Sequence, residues 1–357
     1  MITKYIQIAN ELRAGIYLGR YNETDRLPTE KELTETYKVS RQSVRQALSV
    51  LEREGFIEKK QGSGSYLTEF ARMSRYRTRR VAVITTYLSE YIFPSILRSM
   101  QDILYGSCCS VELFDTRNNI VRERSILETV CASSFDGLLV EGTKTAIPNP
   151  NIDLYNRIKS KNIPIVFFNG SYRDIDCPFV LDDNYRGGHM LADYLYNLGH
   201  RKIAGIFKSD DIQGIERYRG FIDAMKEHRL IYNSANVIWY YTESLDMLFN
   251  CEYIRGVAEN ATAFVCYNDI VANRLIDYLL ARGINVPQNV SVVSFDNSYI
   301  SELGPVSITS LSHGSVDTGQ RAAAMLLSLM DKRHTLSDIR SEYLPWEIAE
   351  KNSSRKL

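Results

Sequence analysis

The stretch "VSRQSVRQALSVLEREGFIEKKQGSGSY", residues 39–66, places two arginines four apart beside an apolar stripe and follows them with a glycine-rich turn. Val44, Leu48 and Leu51 recur at helical spacing, Ser40 is positioned to cap the first turn, and Gly55 stops the helix. Arg41, Gln42, Arg45 and Ser49 are left on the outer face. "FIEKK" and "SYLT" read as two strands joined by "QGSG", whose glycines permit the positive φ of a tight turn. Upstream, "LPTEKELTETY" opens another helix, with Thr29 as N-cap, Glu32 completing a capping box, and Leu33 and Tyr37 on the apolar side. A first helix from about residue 4 to residue 13 and a little beyond turns Tyr5, Ile8, Leu12 and Ile16 inward. Two helices across a short turn, the second presenting arginines and a glutamine, form the layout that enters a DNA major groove. Arginine reads guanine edges and glutamine reads adenine edges. The hairpin then makes a wing: Gln61, Gly62 and Gly64 carry little bulk at its tip, and Lys59 and Lys60 meet phosphates.

Charge supports this division. The chain has 357 residues and a formal net charge of zero, but residues 1–80 hold 16 Lys and Arg against 10 Asp and Glu. A basic module on an acidic body suggests nucleic acid at one end. The length exceeds what one hydrophobic core usually serves. No apolar run approaches bilayer length, and "MITKYIQIANELR" lacks a continuous signal-peptide core, so no membrane contact and a cytoplasmic location are expected. Six cysteines show no zinc-type spacing and are read as reduced and mostly buried. "EFARMSRYRTRR", few in large apolar residues and without periodicity, reads as an exposed linker over residues 69–79, ending one domain (1–68) and preceding another (80–357).

"LPTEKELTETYKVSRQSVRQALSVLEREGFIEKKQGSGSYL" resembles the winged helix-turn-helix of the GntR family of bacterial transcription regulators, over residues 1 to about 68. The resemblance implies DNA contacts by Glu30, Lys31, Arg41, Gln42, Arg45, Gln61 and Gly62. Glu30 either accepts from a cytosine amino group or simply favours the helix dipole.

Beyond residue 80 the texture changes. "RVAVIT", "SVELFD", "FDGLLVEG", "IPIVFFNG", "FVLDD", "KIAGIFKS", "AFVCYND" and "VSVVSFDN" are apolar runs of strand length separated by helix-length patterns. This alternation predicts two doubly wound α/β lobes with parallel sheets. Ligands bind beyond the carboxyl ends of such strands, and the segments there are rich in hydroxyls, amides, carboxylates, an arginine and aromatics. That inventory suits a polyol: planar side chains span neighbouring hydroxyls, and rings face the apolar side of a sugar. No phosphate-cradling GxxxxGK[ST] and no GxSxG occurs, and the five histidines lack metal spacing, so neither an enzyme, a metal nor a cofactor is expected.

"LDDNYRGGHMLADYLYNLGHRKIAGI", "RYRGF", "AFVCYNDIVANRLIDYLLARGINVPQNVSVVSFDN" and "ITSLSH" resemble the LacI/GalR effector domain, related to periplasmic sugar-binding proteins, over roughly residues 80–350. The chain is expected to cross between the lobes near 181, 307 and 338. The match implies ligand contacts by Asn169, Arg217, Asn268, Asp269 and Asp296, while His313 in "LSHGS" is left between facing the ligand and an ordinary structural place. An Asp or Asn at a strand end equally caps a helix, and Arg217 equally pairs with Asp210 or Asp211.

A GntR-type head on a LacI-type body resembles a family of arabinose-responsive regulators in Gram-positive bacteria, which adds Tyr87, Glu90, Tyr91, Phe93 and Lys144 to the pocket. One departure is "VEGTK", where the related pattern has proline in place of Gly142. The implied protein is a homodimeric repressor of double-stranded operator DNA, released by a sugar effector, L-arabinose. Residues 89–104 and 317–330 are candidate dimer faces. Another sugar, a purine or nucleoside, or a ligand acting as corepressor remains open, because no residue fixes ligand stereochemistry or the sign of the response.

Overall fold

A computed structural model describes residues 4–17, 19–21, 24–60, 63–74, 79–231, 234–250, 252–331 and 339–357. The head comprises α1 (Lys4–Tyr17), α2 (Glu30–Tyr37), α3 (Arg41–Arg53), β1 (Ile57–Lys60), β2 (Gly64–Leu67) and α4 (Glu69–Ser74). Thr29 caps α2 in a full capping box with Glu32, and Ser40 accepts from the Ser43 N–H at the start of α3. The inward faces of α1, α2 and α3 (Ile8, Leu12, Ile16, Leu33, Val44, Leu48, Leu51) close one core with Phe56, Ile57 and Leu67 from the antiparallel wing.

Part of the expected linker is helical. Thr68 Oγ1 accepts from the Ala71 N–H at 3.1 Å and donates to the Gly55 carbonyl at 2.5 Å, which starts α4. Ala71 is fully buried and Phe70 packs on Phe56 with centroids 5.5 Å apart. The arginine-rich composition concealed an anchor made by two apolar residues.

The first lobe contains β3 (Arg79–Thr85), α5 (Phe93–Tyr105), β4 (Cys109–Asp115), α6 (Ile120–Ala132), β5 (Gly137–Val140), α7 (Ile152–Ser160), β6 (Ile165–Phe168) and β7 (Phe179–Asp182). The second contains α8 (Asn184–Asn197), β8 (Ile203–Lys208), α9 (Ile212–Glu227), β9 (Val237–Tyr240), α10 (Leu245–Leu248), α11 (Glu252–Asn260), β10 (Ala263–Cys266), α12 (Asp269–Leu280), β11 (Ser291–Asp296), α13 (Ile300–Leu303) and β12 (Thr309–Ser312). The chain returns through α14 (Ser315–Met330) and β13 (Glu342–Leu344) to the first sheet and ends past β14 (Glu347–Ala349) in the second.

The sheet orders are β13-β7-β6-β5-β3-β4 and β14-β12-β11-β10-β8-β9, parallel except for the β12–β14 pair. Helices cover both faces, which is why β5, β6, β8, β10 and β11 are buried at every residue and read as unbroken apolar runs. The crossings lie at 182–184, 312–315 and 344–347 rather than near 307 and 338, the latter position being outside the described residues. The sequence reading missed β13 and β14, two three-residue strands that carry the chain past that point. The apolar faces of α5 and α14, expected at a dimer surface, fill the first lobe's own core.

Candidate functional site

Two sites emerge, one on the head and one between the lobes. On the head, Lys31, Arg41, Gln42, Arg45 and Lys60 are exposed, the first four on α2 and α3 and the last on the wing. Glu30 accepts from Arg45 Nε at 2.9 Å, so the two hold each other across the helix pair. Lys60 lies 4.9 Å over the Tyr66 ring, and Gln61 and Gly62 fall outside the described residues. Arg26, which the sequence reading passed over, is exposed beside the wing, 5.9 Å from the Tyr66 ring. The result is an exposed, largely cationic face with Arg41, Gln42 and Arg45 on the first turns of α3.

Between the lobes, at the carboxyl ends of the strands, lies a cavity of about 260 Å³. Tyr87, Glu90, Tyr91, Phe93, Asn169, Arg217, Asn268 and Asp296 line it, together with Asn118, Glu141, Lys208, Asp211, Gln213, Tyr240, Thr242 and Tyr267, which the sequence reading did not assign to the ligand. Of the latter, Glu141, Lys208 and Tyr267 sit at the carboxyl ends of the apolar runs "FDGLLVEG", "KIAGIFKS" and "AFVCYND". Tyr240 ends β9 and Thr242 follows it, and that strand was not recognised.

Arg217 is the central cation. Its Nη2 lies 3.2 Å from Asp296 Oδ1, its Nε donates to Asn184 Oδ1 at 2.8 Å, and Nη1 donates to the Tyr267 carbonyl. The rings of Phe295 and Tyr267 flank it at 4.2 and 4.9 Å. Lys208 donates to Asp211; burial opposes its charge, but Asp211, Tyr267 and Asp210 together hold it protonated well above the usual lysine range. Glu141 is different. Its hydrogen bonds come from neutral groups, the hydroxyls of Thr85 and Thr86, the Thr86 N–H and the Asn169 amide, and burial pushes its carboxyl upward. A wall alternating cations, carboxylates and amides can both donate to and accept from a run of hydroxyls.

The backbone is forced at this site. Tyr91, Asn169 and Asp296 have φ of 63°, 58° and 94°, a cost that surrounding contacts must offset and that concentrates at functional sites. The lobes meet directly: Tyr91 Oη donates to Asp296 Oδ2 at 2.6 Å, Asn118 Nδ2 to Thr242 Oγ1 at 2.7 Å, and Gln213 Nε2 to the Asn169 carbonyl at 2.7 Å. The cleft is closed.

Three expected ligand residues lie off the cavity wall. Lys144 stands at the rim, 2.6 Å from Glu243 and 3.6 Å from Asp210, and bridges the lobes instead. The Gly142 N–H in the same loop donates to the Gly170 carbonyl at 2.9 Å, a bond a proline there cannot make. The Asp269 carboxylate is occupied by Ser294, Ser310 and the Ser298 N–H and hydroxyl, and only its backbone N–H reaches toward the cavity, donating to Tyr91 Oη at 3.3 Å. His313 is buried at a lobe crossing, with Nε2 3.0 Å from Asp182 Oδ2 and Nδ1 2.8 Å from Ser315 Oγ.

Comparison with known proteins agrees with both halves. Residues 4–67 match the model of bacterial regulatory proteins of the gntR family, and residues 192–354 match that of periplasmic binding protein-like domains. The arabinose metabolism transcriptional repressor of Geobacillus stearothermophilus is 35% identical over 100% of this chain and 99% of its own length. Its namesake in Halalkalibacterium halodurans is 36% identical over 93% and 90%. Among solved structures, the transcription regulator CcpA of Lactococcus lactis aligns with a TM-score of 0.69 at 26% identity, covering 78% of this chain and 100% of that one. A CelR–cellobiose complex shares the fold, with a TM-score of 0.69 at 19% identity over 88% and 92%. A gntR-type head, a closed polyol-suited cleft and full-length similarity together place this chain in the family of the arabinose metabolism transcriptional repressors.

Proposed function

We propose that the effector is L-arabinose, that it binds in the cleft between the lobes, and that its binding releases a homodimer of this repressor from double-stranded operator DNA in the cytoplasm. The observation that carries the ligand class is the cavity itself: small, closed, walled by Tyr87, Tyr91, Phe93 and Tyr267, and studded with Glu141, Lys208, Arg217 and Asp296. The names of the relatives supply the choice of arabinose among sugars. Sugar between the lobes stabilises their closed arrangement; that arrangement sets a spacing of the two heads that no longer matches their half-sites, and by linkage DNA opposes sugar equally. The sugar is the small molecule this scheme requires, and no step in it calls for a cofactor, a metal or a covalent reaction. Calorimetric titration of the full chain tests the ligand: saturable heat with L-arabinose and none with D-xylose or D-galactose is expected, and heat with another sugar alone overturns the assignment.

A further inference from the structure

The DNA-binding head touches the body near Arg79, the first residue of β3. This one guanidinium gathers three elements. Nη1 pairs with Asp331, the residue that caps the carboxyl end of α14; Nη2 donates to the Ser107 carbonyl at 3.1 Å, two residues past the end of α5; and the group lies 5.4 Å over the ring of Tyr17 at the end of α1. Arg79 and Asp331 are almost wholly buried, at 12% and 10% side-chain exposure. Beside them Cys108 Sγ lies 3.5 Å from the Ala14 carbonyl, a second contact between the body and α1.

The opposite end of α5 lies at the cleft and that of α14 at a lobe crossing. α5 begins at Phe93, two residues after Tyr91, whose hydroxyl holds Asp296 of the other lobe. α14 begins at Ser315, next to His313, which meets Asp182 across two of the lobe crossings. The 16 residues of α14 span about 24 Å from the crossing to Asp331. The helices are in backbone contact along the way, since a Cβ on Gly319 would fall 2.3 Å from the Ile96 carbonyl oxygen. The two helices are therefore packed backbone against backbone at this point.

We propose that Arg79 is a positioning residue for the DNA-binding response, clamping the far ends of α5 and α14 to Tyr17 so that movement at the cleft is delivered to the head. A cation at two helix carboxyl ends is electrostatically suited to that place, and its planar fork engages both partners at once. The part of the proposal that concerns sugar rests on the proposed function above.

The test uses the full chain as wild type, Arg79→Ala and Asp331→Asn, with three readouts: operator affinity with and without L-arabinose, sugar affinity by calorimetry, and small-angle X-ray scattering. Sugar affinity should hold in both variants. The ratio of operator affinities without and with sugar should collapse from the roughly 5- to 150-fold usual for allosteric coupling to within about twofold of one. Scattering should broaden as the heads take more varied positions. A wild-type ratio with wild-type scattering in both variants overturns the joint. Should wild-type DNA affinity ignore L-arabinose, the effector reading fails and scattering decides the joint alone: broadened curves uphold it and unchanged curves overturn it.

Discussion

Replacing Arg217 with alanine removes one member of a pair whose side chains are 2% and 5% exposed, leaving the buried Asp296 carboxyl without its cation. Asn184 and the Tyr267 carbonyl lose their donor as well. Deleting one partner of a buried pair costs about 3–5 kcal/mol, because the survivor keeps its desolvation penalty without its compensation. At about 2–4 °C per kcal/mol for a domain of this size, the effector-domain melting temperature should fall by roughly 6–20 °C. Calorimetric unfolding of Arg217→Ala, Asp296→Ala and the double variant checks this. The double variant should be more stable than the sum of the single losses allows, by at least about 1 kcal/mol, since it leaves no orphaned charge. An additive cycle, or an Arg217→Ala loss below about 1 kcal/mol, would refute the view that this pair is a coupled buried unit. L-Arabinose binding should be lost in all three variants.

Other expectations are equally specific. Arg45→Ala should weaken operator binding by about 1–3 kcal/mol in fluorescence anisotropy, and Lys60→Ala should lower the salt slope by about one if it contacts a single phosphate. Burial and the nearby Asp296 charge, opposed by hydrogen bonds from Ser294, Ser310 and Ser298, push the Asp269 carboxyl up to about 6. A carboxyl raised on folding contributes stability that is present at low pH and lost as pH rises through the folded value. Asp269→Asn should therefore compare more favourably with wild type at pH 7.5 than at pH 5 in thermal unfolding; a pH-independent difference removes the inference. Gly220 on α9 faces α8 so closely that a Cβ would lie 1.8 Å from the Tyr185 carbonyl oxygen. Gly220→Ala must push two backbones apart, and a cost of at least about 1–3 kcal/mol is expected from denaturant unfolding.

The sequence disclosed what local periodicity and capping determine. The capping box at Thr29 and Glu32, the outward Arg41, Gln42 and Arg45, and the buried runs that became β3, β5, β6, β8, β10 and β11 are properties of short segments, and each could be read directly. Elements held by distant partners were harder. β9 carries "VIWY" with an exposed Trp239 and was not distinguished from its surroundings; α4 depends on Phe56, which is remote from an arginine-rich stretch. The cleft shows the same division. Strand ends pointed to the right segments, but whether a given carboxylate faces the cavity depends on what else surrounds it. Ser294, Ser310 and Ser298 claim Asp269, Asp182 and Ser315 claim His313, and Glu243 claims Lys144, all through contacts that a one-dimensional pattern does not contain. Glu141 was overlooked for the converse reason: it ends an ordinary apolar strand, and only the fold surrounds it with hydroxyls and places it in the cavity wall.

The linkage between cleft and head is tested most directly by fluorescence anisotropy with DNA from upstream of the protein's own gene, at one fixed salt concentration, with and without saturating L-arabinose. Tight binding without the sugar and a loss of about 5- to 150-fold with it is the expected outcome. Operator affinity that is unchanged or strengthened by L-arabinose would show that occupation of the cleft does not release the head.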